Sequence, residues 1–225
     1  ILSKLVSIPR NIFNLKNKNI LIIEDFGLNK FSQLLQKNNR TKLYKLAVDA
    51  LIQIHKKNKP YNLEFYDIKK FTCESDLFFD WFISKGKNTN QNLKKEFNTL
   101  FKPLIKITDE IPKFFVHRDY HVDNLFFLSD RNKHFRCGWI DYQDALIGPC
   151  VYDLVSLTQD ARIDVSPELE IKLINYYLDN FKNIDKDMFN FSYKIIAIQR
   201  HLKVLGIFTR LYARDKKKIY LTHIP

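Results

Sequence analysis

Apolar residues recur at helical spacing over most of the chain and give way to short consecutive runs in its middle. Between Thr41 and His55, and again from Leu93 to about Ile107, they return every three or four positions, which predicts amphipathic helices. The stretch 67–83 has the same spacing with carboxylates interleaved, which predicts another helix. Most of the chain is therefore expected to be helical.

The last third of the sequence carries signals for helix boundaries. The serine–proline pair at 166–167 supplies a capping hydroxyl and a proline suited to the first helical position. A final helix is predicted over about 188–213, and Gly206 within it indicates close packing against a neighbour. A shorter helix is predicted through 151–157, after a break in the chain at the glycine–proline pair 148–149.

Strand-like runs occupy the middle of the chain. The runs 114–116, 125–128 and 135–140 are apolar, rich in aromatic residues and separated by polar segments. Runs of this length and composition predict buried strands, here combined in one small β unit with two polar tips.

A further apolar run near the start, Ile20–Ile23, also predicts a buried strand and leads into Glu24, Asp25 and Phe26. Gly27 then permits a turn. The letters Asp-Phe-Gly match the magnesium motif of protein kinases, but there the metal-binding Asp follows the catalytic loop, and here the motif comes long before any such loop. Two interpretations stay open: a turn after an edge strand, or a connection whose backbone meets a nucleotide base.

The net charge of +12 is distributed over the whole chain in short lysine groups. Scattered charge favours a solvated basic surface over a nucleic-acid patch. Three cysteines without a CxxC pair fit a reducing compartment, and no apolar run approaches the ~20 residues of a membrane span. We expect a cytoplasmic protein that binds neither nucleic acid nor a membrane, with a monomer favoured over larger assemblies.

The polar tip after the first middle run carries the strongest candidate chemistry. Asp119 lies in His117-Arg118-Asp119, Asn124 follows five residues later, and Asp141 comes directly after the third run. Transfer of a γ-phosphoryl group needs a magnesium clamp and a carboxylate that takes the acceptor proton, and magnesium prefers oxygen ligands. These residues therefore predict a phosphotransferase that uses ATP and Mg²⁺.

Zinc is the alternative for the same segment, since His117, His121, Asp119 and Asp123 have ligand chemistry. Histidines four residues apart face one way only on a helix, whereas the flanking runs indicate strand and loop. Magnesium is favoured, and zinc stays open.

The segment 117–124, His-Arg-Asp-Tyr-His-Val-Asp-Asn, together with Ile-Asp-Tyr-Gln-Asp-Ala at 140–145 and Tyr-Asp-Leu-Val-Ser-Leu at 152–157, resembles the aminoglycoside phosphotransferase and choline kinase superfamily. Within it the chain is most similar to the bacterial anomeric kinases of N-acetylmuramate and N-acetylglucosamine. The resemblance implies an α+β, two-lobed protein-kinase-like fold, and ATP-dependent phosphorylation of an amino-sugar hydroxyl in cell-wall sugar recycling. Aminoglycosides, choline and homoserine are the alternative acceptors.

The same resemblance implies roles for individual residues. Asp119 is expected to be the catalytic base, and Asn124 and Asp141 the magnesium ligands. His117 is expected to brace the loop, while Asp153 accepts hydrogen bonds from the loop's backbone N–H groups.

Two further groups follow from the resemblance. Glu24, Asp25 and Phe26 are expected beside the nucleotide base. Residues expected toward the acceptor are Glu74, Asp80, Trp81 and Asp144. For the carboxylates around 74–80, a solvated acidic helix face is the competing interpretation.

The sequence departs from the family pattern before Ile20, where no glycine-rich phosphate loop and no strand lysine can be placed. We therefore expect residues 1–26 to be a remnant of the small nucleotide-binding lobe with the hinge, and 27–225 to be a large helical catalytic lobe carrying the β unit. A chain of this kind is expected to bind nucleotide poorly by itself.

Two other functions compete. A protein kinase shares the His-Arg-Asp triplet, but only eleven residues separate Asp141 from Asp153 and no Ala-Pro-Glu follows, which leaves no room for the usual activation segment. A non-catalytic module, either a kinase-like scaffold or a basic nucleic-acid binder, is disfavoured by the intact set of catalytic residues and by the lack of a nucleic-acid motif.

Overall fold

The computed structural model describes residues 2–35, 40–57, 62–85 and 87–224. Helices dominate the described chain, and none of those in the described part is long and apolar enough to cross a membrane. The α-helices are α1 (Phe31–Leu34), α2 (Arg40–Lys56), α3 (Ile68–Leu77), α4 (Gln91–Ile107), α5 (Tyr152–Thr158), α6 (Pro167–Leu178) and α7 (Lys186–Ala213). The strands are β1 (Asn11–Leu15), β2 (Ile20–Ile23), β3 (Lys113–Val116), β4 (Leu125–Phe127), β5 (Cys137–Trp139) and β6 (Leu146–Pro149).

The predicted helices form with caps that explain their first residues. Asn90 accepts a hydrogen bond from Leu93 N at the start of α4, and Ser166 caps α6 with Pro167 as its first residue. Asp185 accepts a bond from Met188 N, so α7 begins two residues before the predicted start. Periodicity located these helices, and the capping residues set their ends.

The predicted helix over 67–83 consists of two parts. α3 ends at Leu77 and continues as a π-helical segment, Phe78–Ile83. α7 crosses α3 at this point, where a Cβ on Gly206 would lie 2.6 Å from the Cβ of Leu77. The absence of a side chain therefore permits the crossing, and the close packing predicted for Gly206 is confirmed.

The middle strands form two separate ladders rather than the single β unit predicted. β4 pairs with β5 as an antiparallel hairpin, while β3 pairs with β6, and Val116 lies opposite Leu146. The break predicted at 148–149 lies between β6 and α5, and Pro149 occupies the last position of β6, where a missing N–H is tolerated, so the break also ends a strand that was not predicted. The β3–β6 pairing thus joins the strand that precedes the polar loop to the strand that follows Asp141.

The amino-terminal strands form an exposed antiparallel hairpin, β1–β2. The prediction of a buried strand at Ile20–Ile23 was wrong for burial: Ile20 is 47% exposed and Leu21 is 56% exposed. An apolar run predicts a strand but cannot show whether another layer covers it, and among the described residues none covers this hairpin. The residues just before it behave differently, since Ser7 is buried and its carbonyl accepts a bond from Trp139 N at 2.8 Å. The domain boundary at 26 stays a prediction.

The core is centred on α2 and reaches α5, α6 and the ladders. His55, near the carboxyl end of α2, is buried in it. Its Nε2 donates to Phe115 O at 3.0 Å and its Nδ1 accepts from the Tyr177 hydroxyl at 2.7 Å. His55 is therefore structural, and burial lowers its pKa to about 4, which keeps the ring neutral.

Candidate active site

Asp153, in the first turn of α5, binds the backbone of the polar loop between β3 and β4. Its carboxylate accepts hydrogen bonds from the backbone N–H groups of His117 at 2.6 Å and Arg118 at 3.0 Å. Burial raises the pKa of Asp153 to about 7, although these two donors act in the opposite direction. The contact expected of Asp153 is therefore present.

His117 connects this loop to the segment that carries Asp141. Its Nε2 lies 3.0 Å from Ile140 O, and since a carbonyl can only accept, this nitrogen carries the proton. Burial lowers the pKa of His117 to about 4, so the ring is neutral, and it meets Trp139 edge to face. The geometry fits the predicted bracing function.

Asn124 joins the residues expected to carry the chemistry. Its Nδ2 donates to Asp119 O at 3.0 Å and reaches Asp141 Oδ2 at 3.4 Å, and its backbone carbonyl accepts from Ile140 N at 3.1 Å. The carboxylate of Asp119 makes no hydrogen bond or ion pair to any described residue, so it is free to meet a ligand. Asp119, Asn124 and Asp141 thus lie together, as the sequence predicted.

Two residues of this site have backbone angles that are uncommon for side-chain-bearing residues. Arg118 has φ of 75° and Asp141 has φ of 64°. Such conformations cost about 1–3 kcal/mol each and persist where surrounding contacts fix them. Their location on either side of Asn124 is typical of a functional site.

The donor set suits magnesium. Asn124 uses its amide nitrogen for protein contacts, so its oxygen is left to bind a cation together with the Asp141 carboxylate. Magnesium is commonly held by one or two carboxylates plus substrate phosphates. Within the described ranges, no three His, Cys, Asp or Glu side chains gather at metal-binding distance.

The predicted nucleotide-binding residues build a turn after β2. The Glu24 carboxylate accepts from Arg10 and, at 2.6 Å, from Arg131, and the Asp25 carboxylate accepts from Gly27 N at 2.8 Å. The ring of Phe26 packs over Gly138, where a Cβ would lie 2.8 Å from the nearest ring atom. The turn interpretation is thus present in the structure, and contact with a nucleotide base stays a prediction.

The predicted acceptor residues are placed in two groups. The side chain of Glu74 is only 11% exposed and contacts Arg118, whose guanidinium also donates to Asp144 O at 3.2 Å. Asp80 instead lies 3.0 Å from Lys94 and accepts from Thr89. A solvated acidic face was therefore the wrong alternative for Glu74. Contact of any of these residues with an acceptor stays a prediction.

Trp81 is half-buried on the π-helical segment, beside Asp80 in sequence. Its predicted stacking against an acceptor ring likewise stays a prediction.

The residues that hold the far side of the loop were given no function from the sequence. Asp160 accepts from Val122 N at 3.3 Å, and Arg162 pairs with both Asp123 at 3.2 Å and Asp160 at 3.0 Å. Lys203 on α7 was missed altogether. No local signal marks it, since a lysine in a helix looks like a surface residue until the fold buries it.

The segment between Asp141 and Asp153 is filled by β6, which pairs with β3. It therefore contains ordered sheet where a protein kinase has its activation segment. This arrangement favours a small acceptor.

Comparison with known sequences gives one consistent result. The model of the phosphotransferase enzyme family, abbreviated APH, matches residues 11–186. An N-acetylmuramate/N-acetylglucosamine kinase from Neisseria meningitidis is 32% identical over 98% of this chain and 68% of its own length. A protein of the same description from Caulobacter vibrioides is 30% identical over 92% of this chain and 60% of its own length. The resemblance inferred from the loop motifs is confirmed.

Solved structures confirm the α+β, protein-kinase-like fold. A choline kinase from Streptococcus pneumoniae aligns with a TM-score of 0.63 at 14% identity, over 99% of this chain and 74% of its own. An ADP-bound aminoglycoside phosphotransferase aligns with a TM-score of 0.59 at 16% identity, over 97% of this chain and 73% of its own. At these identities the likeness concerns the fold alone.

Proposed function

The chain belongs to the phosphotransferase enzyme family of small-molecule kinases, and we propose that the protein containing it transfers the γ-phosphoryl group of ATP to the anomeric hydroxyl of an amino sugar, N-acetylmuramate or N-acetylglucosamine. Since the chain spans 68% of the Neisseria relative and 60% of the Caulobacter relative, the activity is proposed for the complete protein.

One observation carries the proposal: Asn124 bonds to the Asp119 backbone and reaches the Asp141 carboxylate, so a free carboxylate and two oxygen ligands lie within one hydrogen-bonded unit. Phosphoryl transfer asks the protein mainly for positioning and charge stabilisation. A loop fixed by Asp153 on one side and by Asp160 on the other supplies the positioning.

Asp119 is the proposed general base. The sugar hydroxyl oxygen forms a bond to the γ-phosphorus while the bond from that phosphorus to the β–γ bridging oxygen breaks, which releases ADP. The hydroxyl proton passes to the Asp119 carboxylate, which makes no protein hydrogen bond that would compete for it.

Asn124 Oδ1 and the Asp141 carboxylate are the proposed magnesium ligands. When bound, the ion would neutralise charge on the β- and γ-phosphate oxygens. Gln143 Nε2 donates to Asp141 Oδ1 at 2.7 Å, which orients the Asp141 carboxylate. Oriented ligand carboxylates of this kind are common around protein-bound metals.

The acceptor is tested directly by a panel. The complete protein is incubated with ATP, Mg²⁺ and each of N-acetylmuramate, N-acetylglucosamine, an aminoglycoside, choline and homoserine, and ADP release is followed. The proposal requires the highest kcat/KM for an N-acetylated amino sugar and an alkali-stable, acid-labile phosphate typical of the anomeric position. Turnover confined to choline, homoserine or an aminoglycoside would replace the sugar by that acceptor.

The non-catalytic alternative gives a different result. It requires that the complete protein release no ADP with any acceptor and bind RNA or DNA in a salt-dependent manner near physiological ionic strength. Phosphorylation of protein without phosphorylation of any small molecule would instead indicate a protein kinase.

A further inference from the structure

A largely buried cluster of charged side chains lies next to the loop that carries Asp119. Glu74 of α3 accepts hydrogen bonds from the Tyr66 hydroxyl and the Arg118 guanidinium, and its side chain is only 11% exposed. Lys203 Nζ of α7 lies 3.1 Å from the same carboxylate and donates to the Tyr152 hydroxyl at 3.3 Å. The cluster therefore connects α3 and α7 to the catalytic loop.

The cluster holds two cations around one carboxylate. Burial works against the charge of Glu74, but Lys203 and Arg118 hold the pKa of this carboxyl below its usual value. Burial likewise opposes the charge of Lys203, and Tyr152, Glu74 and Asp119 together raise its pKa above the usual value. Both residues are ionised at neutral pH, and Asp119 is close enough to act on Lys203 electrostatically.

Arg118 is the residue that needs this support. Its φ of 75° places it in the left-handed region, which a side-chain-bearing residue keeps only when several contacts fix it. Its backbone N–H is fixed by Asp153, and its guanidinium is fixed by Glu74 and the Asp144 carbonyl. Because Asp119 is the next residue, the backbone of Arg118 determines where the Asp119 carboxylate points.

We propose that Lys203 and Glu74 are positioning residues, which hold the Arg118 side chain and thereby set Asp119 in the orientation that meets the acceptor hydroxyl. Lys203 orients and charges the Glu74 carboxylate, Glu74 holds the guanidinium, and the guanidinium fixes the loop. Glu74 thus acts through Arg118 rather than on the acceptor. The catalytic part of this inference rests on the proposed function.

Lys203→Met in the complete protein tests the proposal, because it removes the ammonium and keeps an unbranched apolar side chain. Misplacing a reacting group by about 1 Å can lower a rate ~100-fold, so kcat is expected to fall by at least about 10-fold while KM for ATP and acceptor changes little. Hydrogen exchange of the His117 and Arg118 amides, both bonded to Asp153, is expected to accelerate. Lys203→Arg is expected to restore most of both signals.

Matched variants separate positioning from stability. Lys194→Met removes an exposed lysine from the same helix and is expected to leave kcat and loop exchange unchanged. Glu74→Gln keeps the shape without the charge and is expected to slow turnover as Lys203→Met does. The double variant is expected to be no slower than the worse single one, because both residues act through one guanidinium.

Turnover and loop exchange of the folded variants decide whether the cluster positions the loop. If folded Lys203→Met or Glu74→Gln has a lower melting temperature but wild-type kcat and wild-type exchange in the loop, the cluster is merely structural and the proposal fails. If the wild-type protein turns over no acceptor, the proposed function fails, while loop exchange still decides whether Lys203 positions the loop.

Discussion

Acidification should weaken this protein in part through one buried histidine. His55 is buried at 1% exposure, donates to Phe115 O and accepts from the Tyr177 hydroxyl, so the ring can take up a second proton only at Nδ1, in place of the hydrogen bond that the Tyr177 hydroxyl donates there. Burial lowers its pKa to about 4 from the ordinary 6.5. Above pH 6.5 the ring is neutral in both the folded and the unfolded chain, and His55 adds no pH dependence.

Between pH 6.5 and 4 the unfolded chain takes up a proton that the folded chain does not. The stability present above the unfolded pKa is therefore lost as the pH falls through this window. With about 1.4 kcal/mol for each tenfold step in proton affinity, the loss approaches ~3 kcal/mol by pH 4. That amount is a large fraction of the 5–15 kcal/mol by which a typical domain is stable.

Urea unfolding at a series of pH values measures the effect, with His55→Gln as the comparison because an amide can keep the two hydrogen bonds but does not titrate. The difference in free energy of unfolding between wild type and His55→Gln should shrink by about 3 kcal/mol from pH 7 to pH 4. His117 is also buried and neutral, so the wild-type slope alone is insufficient and the difference is the informative quantity. A difference that stays constant with pH would refute the reasoning.

Two further substitutions test the packing and the capping of the helices. Gly206→Ala puts a Cβ within 2.6 Å of the Leu77 Cβ, so overpacking should lower the free energy of unfolding by roughly 1–3 kcal/mol in denaturant titrations. A change below about 0.5 kcal/mol would mean that the helices do not touch there. Ser166→Ala removes the acceptor for Leu169 N and should lower the free energy of unfolding by about 1 kcal/mol. Ser129→Ala, in an exposed loop, serves as the neutral control, and equal effects of the two substitutions would contradict a capping function.

The helices could be predicted because their information is local. The apolar spacing of α2 and α4 and the serine–proline pair before α6 are properties of neighbouring residues, and the structure has helices at those places. The burial of Ile20–Ile23 could not be predicted in the same way. An apolar strand is buried only if another layer packs on it, and the sequence of the strand does not show whether such a layer exists.

The ladders show a second limit. Gly148 and Pro149 are residues that interrupt helices and central strands, so the local reading favoured a break. In the structure Gly148 lies where a Cβ would come within 3.0 Å of the Tyr66 Cβ, and its strand completes the β3–β6 ladder. The strand that ends at this break, β6, could not be predicted locally because its pairing partner, β3, is distant in sequence.

The candidate site divides along the same line. Asp119, Asn124 and Asp141 were found because a short loop and a hairpin fix their spacing, and the structure joins them by hydrogen bonds. Glu74 and Lys203 meet only because α3 and α7 cross at Gly206. No spacing in the sequence predicts the contact between Glu74 and Lys203, because it depends on that crossing.

The central claim assigns different functions to Asp119 and Asp141, and one paired measurement on the complete protein tests it most directly. Nucleotide affinity in the presence and absence of Mg²⁺ is measured alongside turnover for Asp119→Ala and Asp141→Ala. Asp119→Ala is predicted to lower kcat by about 100-fold or more, as expected for loss of a general base, and to keep magnesium-dependent nucleotide binding. Asp141→Ala is predicted to lose that binding. Equal and mild effects of the two substitutions on binding and turnover would contradict the account.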